Sequence, residues 1–260
     1  MVYIVENMRW KEVRELAEHG ALAVLATGSL EQHGPHLPTK VDTLLAGRVT
    51  AAAAAQCSDL DILLLPTLWL GASDHHTPFF AVSVTEGTYI AMLADLAASL
   101  SKGGVRRLAI VNGHGGNSSP IRVALTEIRR RSPAITTIAA EYWALAAGAI
   151  AELRETGSGG MAHAGELETS LVYHLSPGDV HTTTIEPAVP NAPHELLPDL
   201  IAGGAASSSA PWRRVSESGA IGDPTSASAR AGSRFFDAVV DAVSAFLRMA
   251  ASFDGSAPAD

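Results

Sequence analysis

The sequence is poor in cysteine and in positive charge, and both shortages exclude classes of protein. Cys57 is the only cysteine among 260 residues, which excludes an intramolecular disulfide and a metal site built from several thiolates. Lysine and arginine total 18 against 27 acidic residues, so the net charge of -9 leaves no basic surplus for nucleic acid or an anionic membrane. No apolar run reaches the roughly 18 residues that span a bilayer. The N-terminus also offers no apolar signal-peptide core, which predicts a cytoplasmic protein.

Short apolar runs alternate with longer alanine-rich amphipathic stretches along most of the chain. This alternation predicts an α/β fold, a three-layer α/β/α sandwich with a largely parallel central sheet. The predicted strands are 21–26, 62–65, 108–111 and 136–140, and the predicted helices are 10–18, 43–56, 87–102, 119–131, 165–175 and 231–251. We expect one domain over residues 1–250, a long loop from about 176 to 225, and a disordered tail over 251–260.

Two hydrolase motifs are missing. A GxSxG turn, which presents the serine nucleophile of α/β-hydrolases, does not occur, and neither does the HExxH zinc motif. Cys57 has no histidine nearby in its AAQCSDLD segment and is expected to be a buried apolar residue. A metal ion is therefore the remaining strong candidate for activating water.

The segment GSLEQHGPHLPTKVD contains Glu31, His33, His36 and Asp42, directly after the first predicted strand. Ligands of open α/β sheets bind in the crevice beyond the carboxyl ends of the strands, so these side chains stand where a site is expected. Carboxylate oxygens combined with imidazole nitrogens suit Zn, Mn or Fe, whereas Ca or Mg favour oxygens alone. The segment therefore predicts a transition-metal site.

A second strand ends in the glycine-rich turn NGHGGN, which contains Asn112, His114 and Asn117. A phosphate site is a weak interpretation here, because neither GxGxxG nor a P-loop lysine is present. Glycines allow a close approach of the backbone, so we expect His114 to reach the same crevice as Glu31 and Asp42.

The segment HAGELETS opens a predicted helix with His163, Glu166 and Glu168. Acidic residues are favoured in a first helical turn whatever their function. If the helix begins early, His163 and Glu166 lie one turn apart, so that one could bind metal while the other transfers a proton.

Together these segments resemble the creatininase family of metal-dependent amidohydrolases. The resemblance rests on GSLEQHGPHLP with Asp42, IVNGHGGN, HAGELETS and SESGAIGDPTSASARAG, which follow one another in the family's order over roughly residues 20–235. It implies a cytoplasmic α/β/α protein with two divalent metal ions per chain, Zn, Mn or Fe, and a water between them that attacks a carbon–nitrogen amide bond. It also implies a homo-oligomer, often a hexamer, and we expect residues 176–225 to contribute to subunit contacts.

The resemblance also implies roles for individual residues. Asp42 matches the carboxylate that bridges the two metals, and His163 matches the histidine that transfers a proton. Creatinine-hydrolysing members have a glutamate at the position of Gly116, so the fifth ligand is expected instead at Glu166. The implied metal ligands are Glu31, His33, Asp42, His114 and Glu166. The residues expected to support them or to contact substrate are Glu168, His36, His76, Trp143, Asn112 and Asn117.

Departures from the family pattern concern the substrate. Trp143 matches one substrate-stacking tryptophan, but the second is absent, and the loop that usually ends HxxFPGT reads HHTPFFAV. Creatinine is therefore not the expected substrate, and a formamide of a pyrimidine precursor or a small ribosomal peptide stays open. The expected partner is a small-molecule amide or a short peptide. A non-catalytic metal- or ligand-binding protein on the same scaffold is the alternative from another class.

Overall fold

The computed structural model describes residues 1–253, and its strands are short and mostly apolar. They are β1 (Val2–Ile4), β2 (Leu22–Thr27), β3 (Leu30–Glu31), β4 (Ile62–Leu64), β5 (Ala81–Val82), β6 (Arg107–Asn112) and β7 (Thr136–Glu141). Five of them form a parallel sheet in the order β1-β4-β2-β6-β7, while β3 and β5 pair antiparallel in a small separate ribbon. The largely parallel sheet agrees with the predicted fold class.

The helices follow the strands in the alternation that the sequence predicts. They are α1 (Trp10–Glu18), α2 (Val41–Gln56), α3 (Glu86–Lys102), α4 (Ser118–Arg131), α5 (Tyr142–Leu145), α6 (Ala147–Leu153), α7 (Glu166–Leu175), α8 (Trp212–Val215) and α9 (Ala229–Ser252). Single 3-10 turns lie at 5–7, 74–76, 115–117, 177–179, 182–184 and 194–196. Within residues 1–253, no helix combines the length and the apolar character needed to cross a membrane.

Helices cover both faces of the sheet, because its strands are apolar on both sides. Along β2, Leu22 and Val24 belong to the core that contains α2, α7 and α9. Ala23 and Leu25 face the opposite core, which contains α1, α3 and α4. Successive residues of a strand point to opposite faces, so a fully apolar strand requires these two outer layers.

The crevice between the carboxyl ends of β2 and β6 is a switch point of the chain. After β2 the chain passes through α2 to β4 on one side, and after β6 it passes through α4 to β7 on the other side. Open α/β sheets bind their ligands at such a crevice. The segments that contain Glu31 and His114 both begin here.

The predicted strands and helices lie close to their observed bounds, and the differences concern short elements. β1, the β3–β5 ribbon, α5, α6 and α8 were not predicted. Residues 251–252 belong to α9 rather than to a tail, and Phe253 follows the helix. The remaining positions of the predicted tail, 254–260, lie outside the described residues. The stretch 176–225 is irregular as expected, apart from its 3-10 turns and α8.

Candidate metal centre

Four side chains meet at the crevice between β2 and β6. Glu31 lies in β3, His33 follows it, Asp42 is in the first turn of α2, and His114 follows β6. All four are buried, with at most 3% of each residue exposed. The two carboxylates and two imidazoles that the sequence predicts to be neighbours are therefore in contact with one another.

The carboxylate of Asp42 lies between the two histidines. Its Oδ1 is 3.0 Å from Nε2 of His33, and its Oδ2 is 2.9 Å from Nδ1 of His114. Glu31 stands on the His114 side, with its Oε1 at 3.3 Å from the same Nδ1. One carboxylate thus faces two separate groups of ligand atoms.

Each of these histidines directs one nitrogen to the cluster and the other to a backbone carbonyl. Nδ1 of His33 is 3.2 Å from the carbonyl oxygen of Glu31, and Nε2 of His114 is 3.2 Å from that of Ala72. A carbonyl only accepts hydrogen bonds, so in the neutral rings these nitrogens carry the proton. The nitrogens that face Asp42 are then free to bind a metal, which is the usual orientation of ligating histidines.

The charges and hydrogen bonding of the cluster are compatible with a bound cation. Burial alone would lower the pKa of His33, but Asp42 outweighs it and raises that pKa to about 9. Burial would likewise raise the pKa of Glu31, but His114 and His76 hold it well below its usual range. Both oxygens of Glu31 and Oδ2 of Asp42 nevertheless lack a well-aligned hydrogen bond from any described residue. Buried carboxylates without such donors suit a bound cation.

The structure corrects the expectation for Glu166. This residue begins α7, and its carboxylate accepts hydrogen bonds from the backbone N–H groups of Glu155 and Thr156, both at 2.9 Å. Glu168 is the acidic residue of α7 that approaches the cluster, with Oε2 at 3.9 Å from Nε2 of His33. Burial raises the pKa of Glu168 to about 7. The carboxylate of the expected fifth ligand, Glu166, is therefore bonded to backbone outside the cluster, and Glu168 lies nearer to His33.

His163 lies beside the cluster, as the sequence predicts. Its Nδ1 is 3.7 Å from Oε1 of Glu31, and its ring stacks on that of His76 at 4.4 Å between centroids. Burial lowers the pKa of His163 well below its ordinary value, and the neighbouring His33 and His76 lower it further. The ring is therefore neutral near pH 7.

Three of the predicted supporting residues, Asn112, Asn117 and His36, bond to backbone or to other side chains outside the metal cluster. Asn112 and Asn117 hold the turn around His114: Nδ2 of Asn112 donates to the carbonyl of His114 at 2.7 Å, and Nδ2 of Asn117 donates to that of Gly28 at 3.0 Å. Nε2 of His36 lies 3.0 Å from the hydroxyl of Thr169, and His36 does not line the cavity above the cluster. These contacts are structural.

A cavity of about 470 Å³ opens above the cluster. Its cover is formed by residues 194–212, which we call the strap, and Trp143, His75 and His76 line its walls. Asp199 anchors the strap, because its buried carboxylate pairs with Arg154 at 2.9 Å. Part of the stretch 176–225, which the sequence predicts as a long loop that contributes to subunit contacts, therefore lines the cavity over the cluster.

Two residues of the site were not identified from the sequence. Gln32 is buried between Glu31 and His33 and contacts both His76 and His163. Trp212 ends the strap with its ring 4.3 Å from that of His76. Gln32 stands inside the motif that marks the site, whereas Trp212 has no local signal.

The donor set fits a divalent transition metal. Three groups of ligand atoms lie close enough together to hold an ion: Glu31 with His33 and Asp42; His33 with His163 and Glu168; and Glu31 with His76 and His163. Mixed carboxylate and imidazole ligands favour Zn, Mn or Fe over Ca or Mg.

Comparison with known proteins gives consistent results. A family model described as creatininase, creatinine amidohydrolase, matches residues 6–247. The mycofactocin precursor peptide peptidase of Mycobacterium tuberculosis (strain CDC 1551 / Oshkosh) is 37% identical over 232 residues, covering 84% of this chain and 81% of that protein. Two solved structures superpose over nearly the whole chain. A creatininase mutant of the Zn-Zn type has a TM-score of 0.76 and 26% identity, covering 94% of this chain and 96% of its own. A manganese creatininase has a TM-score of 0.77 and 25% identity, covering 95% and 98%.

Proposed function

Because the chain belongs to the creatininase family of hydrolases, we propose that it is a metal-dependent amidohydrolase that cleaves a carbon–nitrogen amide bond of a peptide. The observation that carries the proposal is the position of Asp42, with one oxygen toward His33 and the other toward His114. A carboxylate with one oxygen toward each of two ligand groups would serve both ions of a metal pair.

The ligands divide into two sets around Asp42. His114 and Glu31 would hold one ion with Oδ2, and His33 and Glu168 would hold the other with Oδ1. Divalent ions bound there would polarise the amide carbonyl and lower the pKa of a water molecule. The four-residue core is buried, so bulk water has little access to the ligand atoms themselves.

His163 is our choice for the proton transfer. The nitrogen of an amide leaves poorly unless it is protonated, and a neutral imidazole can accept a proton and then donate it. Nδ1 of His163 faces the cluster, whereas Nε2 lies 2.7 Å from the backbone carbonyl of Gln32. The proton would therefore be taken up and released at Nδ1.

The cavity favours an uncharged, apolar group beside the scissile bond. Leu196, Leu197, Leu200 and Trp212 contribute apolar surface, and no lysine or arginine lines this cavity in the described residues. The carboxylates present belong to the cluster or, in Asp199, to an ion pair. An acidic side chain placed here would find no protein cation, so its desolvation would go uncompensated.

The test is turnover of an amide panel by zinc- or manganese-loaded protein, with products identified by mass spectrometry. The panel contains creatinine and short peptides whose central amide is flanked by Val, Leu or Tyr, or by Asp or Glu. We expect cleavage of the apolar peptides with kcat/KM at least about tenfold above the acidic ones, and loss of activity on metal removal. Metal-loaded protein that cleaves no amide would instead indicate the non-catalytic binding protein, and a preference for creatinine would exclude the peptide assignment.

A further inference from the structure

Gln32 has a side-chain amide whose orientation is fixed by the backbone. Its Oε1 accepts the N–H of Gly34 at 2.8 Å, and its Nε2 donates to the carbonyl of Gly219 at 2.9 Å. A backbone N–H only donates and a carbonyl only accepts, so the oxygen and nitrogen of this amide cannot be exchanged. The second hydrogen of Nε2 therefore has a defined direction.

The second hydrogen of Gln32 Nε2 is donated to His76. Nδ1 of His76 lies 2.8 Å from Nε2 of Gln32, so Nδ1 must accept. A neutral imidazole with one accepting nitrogen carries its proton on the other, here Nε2, which is 3.0 Å from Oε1 of Glu31. His76 thus directs an N–H toward Glu31, whereas His33 and His114 would offer to metal the nitrogens that face Asp42.

The backbone of the same residue determines the tautomer of His163. The carbonyl oxygen of Gln32 lies 2.7 Å from Nε2 of His163, which must therefore carry the proton. Nδ1 of His163 is left without one, on the side that faces Glu31. The 3.1 Å approach between Nε2 of Gln32 and Nε2 of His163 is then a contact of two donors.

We propose that Gln32 is a positioning residue that fixes the tautomers of His76 and His163, so that Nε2 of His76 presents its N–H toward Glu31 while Nδ1 of His163 is left free to take up a proton. The inference rests on the proposed amidohydrolase function. His76 would orient the carboxylate of Glu31 beside His114. Because its Nε2 keeps a proton, His76 supports a ligand and does not itself bind metal.

The segment SESGAIGD has a role in this arrangement. The carbonyl of Gly219 accepts a second hydrogen bond, at 2.8 Å, from Nε1 of Trp212. Gly219 has a φ of +92°, and a Cβ there would lie 2.2 Å from Oε1 of Gln32. Only glycine fits this position, and its carbonyl connects the tryptophan of the strap to the amide that orients the histidines.

The first measurement is made on zinc-loaded protein labelled with nitrogen-15 in histidine. Long-range proton–nitrogen NMR correlations distinguish the two tautomers, and the His76 signals are assigned by their loss in His76→Gln. We expect His76 and His163 to carry their protons on Nε2. A proton on Nδ1 of His76, or zinc bound to its Nε2, would overturn the proposal. Because this measurement needs no substrate, its outcome is separate from the success of the proposed function.

The second measurement compares Gln32→Glu with Gln56→Glu, a glutamine that bonds to Asp241 far from the site. The carboxylate of Gln32→Glu can only accept, so the proton of His76 should move to Nδ1. On a confirmed amide substrate, kcat should fall about 10–100-fold, with KM nearly unchanged because Gln32 does not line the cavity. Gln56→Glu should change neither kcat nor KM. Folded, zinc-loaded Gln32→Glu with the wild-type tautomer would contradict the proposal. If Gln32→Glu does not fold, Gln32→Met should leave His76 as a mixture of tautomers, and a single Nε2–H form there would contradict it equally.

Discussion

The metal cluster and the strap above it are held by different kinds of contact. The four core residues of the cluster are at most 3% exposed and lie against the ends of the central strands. The strap passes over the surface, where Leu196 is 40% exposed. Within the described residues its one ion pair joins Asp199 to Arg154, beside hydrogen bonds to the backbone of Met161 and Gly219. Chemistry is thus placed on the rigid part of the molecule, and substrate contact on the part with fewer anchors.

This difference predicts that substitutions in the cluster and in the strap will change different kinetic constants. A change in the cluster removes metal or a proton carrier, so it should lower kcat or abolish activity. A change in the strap alters how the substrate is enclosed, so it should act mainly on KM. Three substitutions test the division, beginning with the largest expected effect.

Asp42→Ala should remove most of the bound metal, because this carboxylate faces both ligand sets. Activity should fall by more than the roughly 10²–10⁴-fold that loss of a general acid costs. Metal per chain is measured by elemental mass spectrometry after gel filtration. Glu166→Gln is the matched control, since it changes another buried carboxylate that bonds to the 155–156 backbone, and it should keep its metal. Full metal content and activity in Asp42→Ala would exclude the site.

His163→Asn tests the cluster without removing a proposed ligand. Its Nδ1 is placed for proton transfer, so kcat should fall by about 10²–10⁴-fold while both the metal content and KM stay near wild type. His174→Asn, on the same side of the sheet in α7 but outside the cavity, is the control. Loss of metal in His163→Asn would make His163 a ligand, and unchanged turnover would assign the proton to another residue.

The sequence predicts four strands of the central sheet better than it predicts β1 and the β3–β5 ribbon. β2, β4, β6 and β7 are short apolar runs between turn residues, and each was predicted near its observed position. β1 is an edge strand with exposed residues, and β3 and β5 pair only two residues each across a long separation. Such elements form through tertiary contacts and leave no local periodicity.

Within the site, the residues after strand ends were predictable because the edge of a parallel sheet brings them together. The choice between Glu166 and Glu168 was not, since it depends on where α7 begins. The backbone of Ala164 has a φ of 57°, and its N–H donates to Oε2 of Glu168 at 2.6 Å. Two residues correspond to about 200° of helical rotation, so these carboxylates point to different sides. Trp212 reaches the cavity only through the folded strap.

Arg154→Met tests the strap and should give the smallest effect of the three. Asp199 would keep the backbone N–H groups of Gly159, Ile201 and Ala202 but lose its cation. Burial alone would raise the pKa of Asp199, but Arg154 and these N–H groups lower it. Because the pKa of Asp199 is lowered in the folded protein, its ionised carboxylate stabilises the fold at every pH above the ordinary pKa of an aspartate. This contribution is lost only when the pH falls through the lowered pKa. The anchor is therefore complete throughout the neutral range.

We expect Arg154→Met to raise KM by about tenfold, the equivalent of about 1.4 kcal/mol, with kcat and metal content nearly unchanged. Hydrogen exchange should quicken at the amides of Ile201 and Ala202, because the strap opens more often. Arg130→Met, which breaks an exposed pair with Glu127 on α4, is the matched control and should change neither quantity. Removing one partner of a buried pair leaves an uncompensated charge, so adding Asp199→Asn to Arg154→Met should recover part of the loss. If Arg154→Met instead lowers kcat and leaves KM and strap exchange unchanged, the strap belongs with the cluster, and the division between the two regions is wrong.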